Sequence, residues 1–114
     1  LRLLYFRMDR MPAYIARARE LAKMIQDASG FEIEPAEPLT NMFHVRIPMN
    51  EATIQAARDR AARTTGVWLA NRFWDYEGPD MHSAEISVGE RIMAIEPARI
   101  ASAFAAMARQ EETP

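Results

Sequence analysis

Cysteine is absent from the 114 residues, which excludes disulfides and thiolate metal sites and is compatible with a cytoplasmic protein, the localisation expected here. Lysine is nearly absent too: thirteen of the 14 basic residues are arginine, and Lys23 stands alone. Glycine is scarce, and its four copies stand singly, so there is no Gly-rich phosphate loop. The only imidazoles are His44 and His82. No apolar run approaches the roughly 20 residues that span a bilayer, and no signal peptide is visible. A formal net charge of -2 offers no electrostatic footprint for nucleic acid. Neither a membrane nor a nucleic acid is therefore an expected partner.

What is present fits one folded domain with its own core: 49% hydrophobic and 26% charged residues over a length sufficient without staples. The chain opens at Leu1 inside the apolar run Leu1-Arg2-Leu3-Leu4-Tyr5-Phe6. That opening leads us to expect a piece of a longer protein, with 1–10 the tail of a helix begun elsewhere, 11–110 the domain proper and 111–114 a loose tail. A frayed apolar end at 1–8 is the plainer alternative.

Asp9 is a candidate cap, and Pro12 is tolerated in a first helical turn, where its missing N–H had no partner. Ile15, Ala18, Leu21, Ala22, Ile25 and Ala28 then recur at helical spacing, and Gly30 can end the helix, which predicts a helix over 11–29. Phe31-Glu32-Ile33-Glu34 alternates as a half-buried strand does. After a proline-broken loop, 41–47 is a second strand with Phe43, Val45 and Ile47 on one face and Met42, His44 and Arg46 on the other. Asn50 caps a second helix with the thin stripe Ile54, Ala57, Ala61 and Ala62, ended by Gly66. A third strand is predicted from Val67 to Ala70, running on through Trp74. Residues 84–88 are predicted as a fourth, with Gly89 read as a bulge before an extended Arg91–Ile95. Glu96-Pro97 starts a last helix over 97–109 that buries Ile100, Phe104, Met107 and Ala108. The fold class is α+β, in the order helix-strand-strand-helix-strand-strand-helix. A mostly antiparallel sheet covered by helices on one face buries all the stripes.

Few constellations carry chemistry. Glu85 lies three residues past His82, which on a strand puts the pair on opposite faces and makes a poor metal clamp. No nucleophile-elbow pattern accompanies a serine. Arg58, Arg60 and Arg63 read as a solvated helix face, with an anion patch as the alternative. Trp68, Phe73 and Trp74 read as core filling, with ligand stacking as the alternative. Turn chemistry explains Thr40 and Asn41. Arg72 and Arg91 are the strand-associated arginines best able to hold a carboxylate, against the plainer reading of arginines lying across a sheet.

Pro12-Ala13-Tyr14-Ile15-Ala16-Arg17-Ala18-Arg19-Glu20-Leu21-Ala22 is similar to the helix entering the small domain of threonine aldolases and β-eliminating lyases. Some twenty residues on, Pro38-Leu39-Thr40-Asn41-Met42-Phe43-His44-Val45 resembles their Thr-Asn strand. Ala84-Glu85-Ile86-Ser87-Val88-Gly89-Glu90, with a Pro-started terminal helix, resembles their ending. The resemblance implies the C-terminal small domain of a fold-type-I pyridoxal-phosphate (PLP) lyase acting on an amino acid, either an aldolase or a β-eliminating enzyme. It further implies a large domain outside this chain that carries the cofactor lysine, and a homo-oligomer. It also implies an arginine for the substrate carboxylate near 82–86; none stands there, which leaves the substrate open. The candidates for that role are then Arg72 first, Arg91, and His82 as a weaker substitute. Lys23, in a long amphipathic helix, reads as a surface lysine, so the chain is expected to be inactive alone. A free-standing α+β module that binds or dimerises through its sheet is the other class of reading.

Overall fold

The computed structural model describes residues 2–69, 73–75 and 78–109. The first helix, α1, runs unbroken over Arg2–Ser29 with Pro12 inside it. The segment before Met11 and the predicted helix 11–29 are thus one element, and Asp9 lies within it rather than capping it. Pro12 forfeits one helical hydrogen bond without ending the helix. The stop is where the sequence puts it. Gly30 adopts φ +79°, a left-handed conformation that favours glycine, and its N–H reaches the Gln26 carbonyl at 2.8 Å.

Two strands follow, β1 (Glu32–Glu34) and β2 (Met42–Ile47), then helix α2 (Glu51–Thr65). Asn50 caps α2 by accepting from the Thr53 N–H at 2.8 Å, and Gly66 ends it at φ +79°. Strands β3 (Trp74–Asp75) and β4 (His82–Ser87), helix α3 (Glu90–Met93) and helix α4 (Pro97–Ala108) complete the chain. The sheet has the order β1-β2-β4-β3, antiparallel throughout.

Two strand expectations need correction. Residues 67–69 are not in the sheet, and only Trp74–Asp75 of the predicted third strand pairs with β4; residues 70–72 lie outside the described set. Arg91 to Met93 belongs to the short helix α3, not to an extended run after a bulge. Gly89 is extended there and serves as the helix N-cap. Five apolar-rich residues carry too little periodicity to separate a strand from one helical turn.

The register puts Phe43 opposite Ile86, Val45 opposite Ala84 and Ile33 opposite Val45, all on one face. These residues are buried, together with Leu21 and Ile25 of α1, Ile54, Ala57 and Ala61 of α2, and Ile100, Phe104 and Met107 of α4, in a single core. Phe31 meets Phe104 edge-on, with ring centroids 6.5 Å apart. Ile15 is half-buried, and Ala28, predicted on the stripe, is exposed. Trp68 is also misplaced by the sequence reading: it is 51% exposed instead of filling the core.

Candidate functional site

Opposite the core, β1, β2 and β4 present a polar face. Cross-strand neighbours form two rows, Glu32–Arg46–Ser83 and Glu34–His44–Glu85. Arg46 is the hub. Its guanidinium pairs with Glu32 at 3.4 Å and with Glu34 more closely still, and its side chain is only 19% exposed. The two carboxylates stand two residues apart on β1, so period-two alternation aims both at the same neighbour on β2. A hollow opens on this face, lined by Glu34, Pro35, His44, Arg46 and Ser83. The alternation marked Arg46 and His44 as outward, but their meeting with Glu32, Glu34 and Ser83 depends on strand order and register, which the sequence alone does not state.

A second polar cluster joins α1 to α3. The Tyr14 hydroxyl donates to the Glu90 carboxylate, Arg10 pairs with the same carboxylate at 3.0 Å, and the Arg17 guanidinium reaches the Met93 carbonyl at 3.5 Å. Beside it Asn41 stitches β2 to the end of β4. Its side-chain amide donates to the Val88 carbonyl at 3.0 Å, and its own carbonyl accepts from the Val88 N–H at 2.8 Å. The Met42 N–H donates to the Thr40 hydroxyl at 3.2 Å. The Thr-Asn pair therefore starts a strand and locks it to its neighbour.

Of the predicted contact residues, the two that are described, Arg91 and His82, are not gathered at one point. Arg72 lies outside the described residues. Arg91 is exposed on α3, a helix and not a strand. His82 is buried at the start of β4, 2% exposed, with its Nδ1 2.7 Å from the Met49 carbonyl. Glu85, three residues on, is exposed, so the two sit on opposite faces. Among the described residues no group of three His, Asp or Glu side chains could hold a metal ion.

The arginines of α2 do more than face solvent. The Arg58 guanidinium lies 4.2 Å from the centroid of the Trp68 ring and 5.5 Å from that of Phe73. Arg60 donates to the Ala106 carbonyl at 3.1 Å and ties α2 to α4. Only Arg63 is exposed as the patterning predicts.

The described residues of this chain do not make a PLP site. Lys23, its one lysine, is exposed on α1. The glycines at 30, 66, 78 and 89 sit at separate turns and helix ends, so they form no Gly-rich phosphate loop among the described residues. Among the described residues no helix is long and apolar enough to cross a membrane.

No protein-family model matches the sequence, nor does any curated protein. Solved structures do match. A candidate L-allo-threonine aldolase from Listeria monocytogenes EGD-E superimposes with a TM-score of 0.80 at 25% identity, over 93% of this chain and 29% of its own. A candidate aromatic amino acid β-eliminating lyase/threonine aldolase from Exiguobacterium sp. 255-15 does so with a TM-score of 0.77 at 26% identity, over the same shares. The sequence resemblance thus has a structural counterpart along nearly the whole chain. The 114 residues span under a third of the length of the structures they match.

Proposed function

We propose that this chain is the C-terminal small domain of a PLP-dependent lyase that cleaves or β-eliminates an amino acid. The observation that carries the reading is the superposition of 93% of the chain on threonine aldolase and β-eliminating lyase structures. The exposed position of Lys23 supports a division of labour, in which the cofactor lysine and phosphate contacts come from a large domain outside these 114 residues. On this reading the protein works as a homo-oligomer in the cytoplasm, and the chain described here does no chemistry alone.

The carboxylate of an amino-acid substrate needs a cation, and a bidentate arginine is the usual one. Arg72 is our first choice, with Arg91 and His82 as substitutes. Arg91 is exposed and can move to a ligand, whereas His82 is buried against a backbone carbonyl.

Two measurements test the proposal. The whole protein should purify with PLP bound to a lysine outside this chain, by absorbance and by mass after borohydride reduction. The 114-residue chain should bind none, and a stoichiometric adduct at Lys23 would overturn the division of labour. In the whole protein Arg72→Lys should lower kcat/KM at least about tenfold, or about 1.4 kcal/mol, because charge is kept but paired geometry is lost. Unchanged kinetics in Arg72→Ala would remove that residue from the site.

A further inference from the structure

We draw no further inference here: the strongest candidate, the pocket at the seam of α1, α3 and the ends of β2 and β4 that Met11, Tyr14, Asn41, Ser87 and Glu90 border, carries nothing, because its Glu90 carboxylate is already held by the Tyr14 hydroxyl and the Arg10 guanidinium and nothing in the structure shows what would occupy it.

Discussion

On the helix-covered side of the sheet, Phe43, Val45 and Ile47 of β2 and Ala84 and Ile86 of β4 are all buried, and the helices complete one core over them. On the other side the same two strands show Met42, His44, Arg46, Glu85 and Ser87, half-buried or exposed, with β1 adding Glu32 and Glu34. One backbone ladder supports both. The covered side is held by area removed from water, which is large and non-directional. The open side is held by ion pairs between half-solvated groups, which are directional and individually weak. The apolar core and the charged surface are thereby separated by a single residue step along β2, and a change on one side should leave the other nearly intact.

The largest effect belongs to the covered side. Phe43 is 1% exposed at the centre of the sheet. Phe43→Ala should cost about 3–5 kcal/mol in denaturant melts, as deleted buried aromatics do. A loss under about 1 kcal/mol would erase the distinction between the faces.

The covered side was also the more legible one in the sequence. Phe43, Val45 and Ile47 alternate cleanly, and the stripe from Ala18 to Ile25 has helical period, because burial against one neighbour imposes its own periodicity. Caps were readable for a local reason: Gly30 and Gly66 take φ +79°, which other residues avoid. The failures fall where the deciding partner is remote. Val67-Trp68-Leu69 has strand composition but no ladder, and Trp68 lies instead under Arg58, ten residues upstream. Asp9 and Pro12 look like a helix start, yet α1 runs on through both. The polar face was half-legible. Arg46 and His44 were visible as outward-pointing, whereas Glu32, Glu34 and Ser83 join them through a register that no local pattern fixes.

An intermediate effect is expected at the seam between the two sides. Asn41 precedes β2 and reaches the Val88 carbonyl with its side-chain amide. Asn41→Ala removes that bond while leaving the backbone link from the Val88 N–H to the Asn41 carbonyl. Thermal and denaturant unfolding should register about 1 kcal/mol, the net worth of one part-buried hydrogen bond. A loss near that of Phe43→Ala would mean the two strands come apart at this end, which would make the seam, not the core, the determinant of the sheet.

The smallest effect should come from the open side, and it sharpens the comparison most. Glu32 pairs with Arg46 at 3.4 Å, but its side chain is 67% exposed. Solvent screens a carboxylate so placed, and the entropy lost in holding it against the guanidinium offsets part of the attraction. Arg46 keeps its closer partner, Glu34, when Glu32 is neutralised. Glu32→Gln also retains a side-chain oxygen that can accept from the guanidinium, so no buried donor is stranded. Unfolding free energy should therefore change by less than about 0.5 kcal/mol, and the difference should shrink further in 1 M salt. A salt-insensitive loss above about 2 kcal/mol would show that the pair behaves as a buried one, and the open face would then have to be counted among the elements that hold the fold together.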